Sequence, residues 1–350
     1  METSIRVNSS SFLRSLPVHL CPVSGSIRSY TYLKNLHRGS FGAVSLCDWH
    51  STSPPNLPLP AMQIGPGVKP EFKDKRLVAV KQVIRSWPGG WTECLQMSSE
   101  IKVILINLHS FMKLESTVQV LRSLPFHPNI ILLYDAFVHS PSQRLYLVFE
   151  PMEGNLYQLI KTRKGRSFTG LLIASIFRQI VSGLFHIHAS GYFHSDLKPE
   201  SILVTTTGLF EYTTVSPIAP LDAPKEKDIV VIIKLSDFGL AREINSESQY
   251  ISTRWYRAPE VLLLGRTYSS AVDMWALGVI MAEALNLRPL FPGTDQVDQV
   301  AKICAILGDP SHEYGVDSSG ITIGGGPWSN GNELASAVRF QFPKVSIQVD

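Results

Sequence analysis

Six short motifs stand in one order along this chain, and that order constrains the fold more than any other feature. They are His37-Arg38-Gly39-Ser40-Phe41-Gly42-Ala43-Val44, Val78-Ala79-Val80-Lys81, His194-Ser195-Asp196-Leu197-Lys198-Pro199-Glu200-Ser201, Asp237-Phe238-Gly239, Ser252-Thr253-Arg254-Trp255-Tyr256-Arg257-Ala258-Pro259-Glu260 and Val272-Asp273-Met274-Trp275-Ala276-Leu277-Gly278. Each alone has a plain alternative: a tight hairpin, an edge-strand lysine, a turn or a helix cap. The chemistry they offer together is coherent. Glycines after a strand let backbone amides approach phosphate oxygens, because no Cβ intervenes. Lys81 ends an apolar strand with an ammonium, and Asp237 follows another with a carboxylate suited to a hard cation.

Around the motifs the pattern shifts from strands to helices. Tyr32–Leu36, Ala43–Cys47, Leu77–Val80 and Arg144–Phe149 read as strands, and Glu153-Gly154-Asn155 breaks the last of them. Ile173, Ile176, Phe177, Ile180, Leu184 and Ile187 recur at helical spacing over Thr169–His188. Ala271–Leu287 is apolar nearly all round, which predicts a buried helix. The fold class expected is α+β, with a small β-rich lobe at 30–151, a larger helical lobe at 152–350 and a ligand cleft between them. Residues 51–70 are dense in Pro and Gly and read as a loop, and 205–228 read as a polar inserted loop. Residues 101–117 interrupt what reads as one helix.

Composition excludes several classes. Net charge is +3, too small to argue for nucleic acid. No apolar run approaches the roughly 20 residues of a membrane span, so no membrane is expected. The four cysteines, Cys21, Cys47, Cys94 and Cys304, form no C-x-x-C pair and read as free thiols of a reducing compartment, cytoplasmic and/or nuclear. Residues 1–29 are Ser-rich and carry Arg6, Arg14 and Arg28, which faintly resembles a transit peptide; the plain reading is a disordered tail.

From about Tyr32 to Lys344 the chain resembles protein kinases of the CMGC group, and within it the MAK/RCK-type serine/threonine kinases in their fungal form. Met152-Glu-Gly-Asn-Leu-Tyr-Gln-Leu159, the segment Ser252–Glu260 and Leu290-Phe-Pro-Gly-Thr294 carry the resemblance together with the six motifs. It implies a protein-kinase-like bilobal fold and transfer of the γ-phosphoryl of ATP to a protein serine or threonine, directed to hydroxyls followed by proline. ATP and Mg²⁺ are the implied cofactors, and the implied partners are a protein substrate and an upstream activating kinase, with the enzyme itself a monomer. Residue by residue, the resemblance gives Asp196 the substrate hydroxyl, Lys198 the γ-phosphate and Thr253 a hydroxyl bonded to both. Gly39, Gly42, Val44, Ala79, Lys81, Phe149, Glu150, Met152 and Leu203 surround the nucleotide, with Glu150 and Met152 acting through their backbones. Asp237 and Ser201 hold metal. Glu100 is preferred over Glu115 as the helix partner of Lys81, because joining Glu100 to Val118 restores the family's helix. Ser248 and Tyr250 occupy activation-loop phosphorylation positions, with Arg257 facing a phosphorylated Tyr250.

Four departures qualify that picture. His37 replaces the first glycine of the loop, Ser195 replaces the arginine that pairs with an activation-loop phosphate, and Ser201 replaces an asparagine metal ligand. The chain also stops soon after Gln341-Phe-Pro-Lys344, so the C-lobe is expected to be truncated and to lack the arginine that pairs with Glu260. Reduced activity follows as an expectation, and a pseudokinase acting as a nucleotide-binding or protein-binding scaffold stands as the alternative.

Overall fold

The computed structural model describes residues 2–5, 28–39, 42–51, 59–63, 70–83, 120–121, 124–139, 144–206, 231–238, 242–243, 254–265, 269–310 and 326–343. The chain divides into two compact units: residues 1–164, 169–186 and 200–240 form the first, and residues 165–168, 187–199 and 241–350 the second.

The first unit is built on a six-stranded antiparallel sheet. Its strands are β1 (Glu2–Ile5), β2 (Arg28–Gly39), β3 (Gly42–Trp49), β4 (Leu77–Val83), β5 (Leu133–His139) and β6 (Arg144–Phe149), in the order β1-β2-β3-β4-β6-β5. Side chains alternate across it as the pleat requires. Cys47, Trp49, Val78, Val80, Tyr146 and Val148 enter one apolar cluster with Tyr30, Tyr134 and Phe137. Leu46 and Leu77 point the other way, into a cluster with Met62 and Phe72. The short 3₁₀ turns Ala61–Gln63 and Pro70–Phe72 lie within and beside the segment read as a loop. Gln63 fixes them, donating to the carbonyls of Phe72 and Lys75 and accepting from the Leu77 N–H.

Two sequence readings change here. Glu2–Ile5 pairs with Arg28–Thr31, so part of the expected disordered tail forms an edge strand. An open edge offers unpaired N–H and C=O groups to any extended segment, whatever its composition. Arg28 is itself buried and ion-paired to Asp135 at 3.0 Å. Thr205 and Thr206, read as the start of the 205–228 insertion, continue a strand and pair with Ile232 and Val231. The rest of that insertion, and residues 101–117, lie outside the described residues.

Below the sheet in sequence come β7 (Gly154–Asn155) and α1 (Leu156–Thr162). Asn155 caps α1 reciprocally with Gln158, at 2.9 and 3.0 Å. Helix α2 runs Gly170–Ala189, close to the expected limits, and is followed by β8 (Tyr192–Phe193), β9 (Ile202–Thr206) and β10 (Val231–Leu235). By length and composition α2 is long and apolar enough to cross a membrane, contrary to the expectation that no such run exists. Its Ile173, Ile176, Phe177, Ile180, Leu184 and Ile187 are buried within the protein, the position of a core helix. Close packing on β10 leaves no room at Gly183, where a Cβ would meet Leu235 Cδ1 at 3.0 Å and the Asn129 carbonyl at 3.1 Å.

The second unit contains β11 (Arg242–Glu243), paired with β8, and the helices α3 (Pro259–Leu262), α4 (Ala271–Asn286), α5 (Gln296–Leu307) and α6 (Ser329–Ala337). Helix α4 ends at Leu287, whose φ of 55° is left-handed. It is not buried all round: Val272, Ala276, Val279 and Ile280 are inside, whereas Met274, Met281 and Leu285 are exposed. Apolar composition overstates burial when two of the exposed residues are long, adaptable methionines.

Candidate functional site

The register of the sheet assembles one wall of the site. Val44 stands opposite Lys81, Leu46 opposite Ala79, and on the other side of β4 Ala79 stands opposite Phe149 and Lys81 opposite Leu147. Directly paired residues share a face. Val44, Ala79, Lys81 and Phe149, scattered over the sequence, therefore occupy the same face. Gly39 pairs with Gly42 at the end of the β2–β3 hairpin, and Gly42 has a φ of 151°. His37 stands opposite Val44 with its side chain exposed. Glu100 and Glu115 lie outside the described residues.

After Phe149 the chain leaves the sheet, and its connection is held by side chains that sequence reasoning left aside. Glu150, read as a backbone contributor only, has a buried carboxylate. Its Oε1 accepts from the Leu132 N–H at 2.8 Å and pairs with Lys234 Nζ at 2.9 Å, with the two side chains 3% and 7% exposed. Burial pushes the Glu150 carboxyl above the usual range, against the pull of Lys234 and Leu132. A lysine inside the apolar strand Val231–Leu235 was the one local signal for this pair. Next along the chain, Met152 is buried, and Thr205 Oγ1 donates to its sulfur at 3.5 Å while accepting from the Glu153 N–H.

Residues 129–132 splint this connection to β10. Leu235 N–H donates to the Asn129 carbonyl, Ile131 N–H to the Leu235 carbonyl, and Glu150 N–H to the Leu132 carbonyl. Asn129 Nδ2 reaches the Ile233 carbonyl at 2.9 Å. Two residues past Leu235 comes Asp237, exposed and with a φ of 62°. Such a φ is uncommon outside glycine, though aspartate tolerates it better than most residues. Ser236 donates to the Ser201 carbonyl through both its N–H and its hydroxyl, at 2.9 and 3.0 Å. That pair of hydrogen bonds brings Ser201 beside the residue preceding Asp237. A carboxylate and a hydroxyl are hard oxygen donors, and this donor chemistry fits Mg²⁺. Leu203, on β9, pairs with Lys234.

In the second unit Asp196 and Lys198 face each other, Nζ to Oδ2 at 3.0 Å, with Asp196 buried. The loop that carries them hangs from Asp273, which is 1% exposed in the first turn of α4. Its carboxylate accepts from the N–H groups of His194 and Ser195 and from His188 Nε2, each at 2.8 Å. Ser195 sits at a φ of 60°. A small cavity lined by Ser195, Asp196, Tyr256, Arg257, Val261 and Asp273 opens beside this loop. Arg257 is thus near Asp196, while Thr253, Ser248 and Tyr250 lie outside the described residues.

Glu260, at the start of α3, has no cation beside it among the described residues. Burial raises its carboxyl above the usual 4.5, opposed by its own backbone N–H. A carboxyl whose folded-state value is raised favours the fold at low pH, and that contribution is lost as pH rises through the raised value. Glu260→Gln is therefore expected to melt at a higher temperature than wild type at neutral pH. The difference should shrink as pH falls toward 4.5. Thermal melts across that range check it, and a variant less stable at every pH would count against it.

The profile of the protein kinase domain matches residues 72–318. The chain is 39% identical over 318 residues to the mouse serine/threonine-protein kinase MAK, covering 90% of this chain and 38% of that protein. It is 44% identical over 223 residues to the rice cyclin-dependent kinase F-4, covering 63% of this chain and 40% of that protein. It is 37% identical over 254 residues to the Saccharomyces cerevisiae meiosis induction protein kinase IME2/SME1, covering 70% of this chain and 38% of that protein. The chain therefore spans about two fifths of the length of these curated relatives or slightly less. Among solved structures it is similar to a chain of the CAK complex of Chaetomium thermophilum bound to ATP-γ-S. The TM-score is 0.54 and the identity 26%, covering 79% of this chain and 68% of that one.

Proposed function

Because the chain belongs to the protein kinase family, in its CMGC group, we propose that it transfers the γ-phosphoryl of ATP to a serine or threonine hydroxyl of a protein substrate. What supports this most is the contact of Asp196 Oδ2 with Lys198 Nζ at 3.0 Å, on a loop pinned by the buried Asp273. Phosphoryl transfer asks the protein for positioning and charge neutralisation rather than covalent chemistry. In this reading Asp196 accepts the hydrogen bond of the substrate hydroxyl and orients it, and Lys198 balances γ-phosphate charge. Val44, Ala79, Phe149 and Leu203 enclose adenine, Gly39 and Gly42 approach the phosphates, and Lys81 pairs with phosphate oxygens and with Glu100. Asp237 and Ser201 would hold Mg²⁺, which when bound neutralises phosphate oxygens. The ATP-γ-S-bound relative supports ATP as the nucleotide.

Several finer points belong to the same proposal. The two lobes divide at 151/152. Thr253 bridges Asp196 and Lys198, and phosphorylation of Ser248 and Tyr250 by an upstream kinase, read by Arg257, tunes activity. Target hydroxyls are followed by proline. The chain acts as a monomer in the cytoplasm or nucleus, away from membranes and nucleic acid.

Ser201 favours one second reading, a scaffold that binds nucleotide with little turnover. A serine hydroxyl is shorter than an asparagine side chain and offers no carbonyl oxygen. Ser201→Asn is expected to lower the Mg²⁺ concentration for half-maximal phosphoryl transfer by roughly ten-fold and to raise turnover. An unchanged Mg²⁺ dependence, with wild-type turnover already high, would refute the account of Ser201. Nucleotide binding without turnover in both proteins would favour the scaffold.

A further inference from the structure

One buried glutamine ties the turn Arg254–Tyr256 to a helix more than forty residues away in sequence. Gln299, near the start of α5, is 0% exposed. Its Oε1 accepts from the Gly293 N–H at 3.0 Å, and its Nε2 donates to the Trp255 carbonyl at 3.4 Å. The same two loops are stitched a second time, by Trp255 Nε1 donating to the Gly293 carbonyl at 2.9 Å. Arg254 adds a third bond, to the Thr294 carbonyl at 2.7 Å. The approach is close enough to require glycine: a Cβ at Gly293 would stand 2.5 Å from Gln299 Oε1. From the same helix Gln296 donates to the Leu262 carbonyl, just beyond the turn. The far end of the stitched loop is fixed as well, because Phe291 is buried and stacks on Trp275 with ring centres 6.1 Å apart.

Packing alone does not call for a glutamine here. Burying an amide is costly unless both its ends are bonded, and an apolar side chain of similar size would fill the space without that cost. What the amide adds is register: it holds the Trp255 carbonyl and the Gly293 N–H at one separation, in a site where each bond supports the next. The turn so fixed continues into Tyr256 and Arg257, which line the cavity that Asp196 also lines.

We infer that Gln299 is a positioning residue for the protein substrate, setting the backbone of residues 254–257 against the Asp196 loop. The inference rests on the kinase reading above and adds to it that residues 254–257, beside the Asp196 loop, meet the substrate polypeptide. It assigns Gln299 no part in holding nucleotide.

The test is steady-state phosphoryl transfer by the full chain, with protein substrate and ATP varied separately, for wild type, Gln299→Met and Trp255→Phe. Trp255→Phe removes one bond of the stitch and keeps an aromatic ring, so it serves if Gln299→Met folds poorly. Both variants are expected to raise KM for the protein substrate roughly ten-fold, about what losing one or two buried hydrogen bonds gives. KM for ATP should stay within about two-fold of wild type, since no nucleotide contact changes. A purely structural role would lower the active fraction, and so kcat, leaving both KM values alone. That pattern, or an equal rise in both KM values, overturns the inference while leaving the kinase reading intact. A wild-type chain that transfers no phosphoryl overturns both.

Discussion

Asp273→Ala is expected to lose roughly 3–9 kcal/mol of stability, because three donors in or beside a buried site lose their acceptor and each costs about 1–3 kcal/mol unpaired. The donors are the His194 and Ser195 N–H groups and His188 Nε2, all at 2.8 Å. That is a large fraction of the roughly 5–15 kcal/mol that holds a domain together. The effect should reach activity as well. Ser195 is kept at a φ of 60°, a conformation that costs about 1–3 kcal/mol and persists only where the surroundings enforce it. Without the carboxylate the peptide relaxes, and Asp196, the next residue, moves with it. Asp273→Asn should be milder, since it keeps one acceptor oxygen but turns an NH₂ toward a donor. Urea unfolding followed by circular dichroism checks the order wild type, Asp273→Asn, Asp273→Ala. A loss under about 1 kcal/mol for the alanine variant would mean that these bonds are replaced by water and that the loop does not depend on Asp273.

The parts of the site legible in the sequence were those with local grammar. Leu77–Val80 was read as a strand and lies within β4, and Arg144–Phe149 is a strand with the limits read from its residues. Helix α2 announced itself by its spacing. What could not be read depends on partners distant in sequence. Glu150 and Lys234 meet where residues 129–132 bond to both segments, and the lysine inside an apolar strand signalled a buried partner without saying which. Asp273 was visible as part of a motif, but its work on a loop some eighty residues earlier was not. Strand β5 went unread, and its Asp135, buried beside Arg28, breaks the apolar alternation that would have marked it. The edge strand Glu2–Ile5 owes its place to an open sheet edge rather than to its own residues.

The two predicted metal residues show the same division. Asp237 was legible as a carboxylate after an apolar strand. Its φ of 62° and the bonds that draw Ser201 to its neighbour Ser236 were not. Backbone held in an uncommon conformation beside exposed carboxylate oxygens is where pre-organised sites store strain. That makes Asp237 the residue on which the proposed activity turns. An amide in its place keeps the size and loses the charge, so metal-assisted neutralisation should fail while the sheet face of Val44, Ala79 and Phe149, proposed to meet the nucleotide, stays intact.

The decisive measurement is transfer of labelled γ-phosphoryl from ATP to a generic basic protein, run side by side with wild type and Asp237→Asn. Wild type is expected to label the substrate. Asp237→Asn is expected to label it roughly 10²–10³-fold more slowly, the scale of removing one pre-organised electrostatic group from such a site, while still folding. Equal labelling by the two proteins, or none by a wild-type chain that binds ATP, would contradict the assignment of this chain as an active serine/threonine protein kinase.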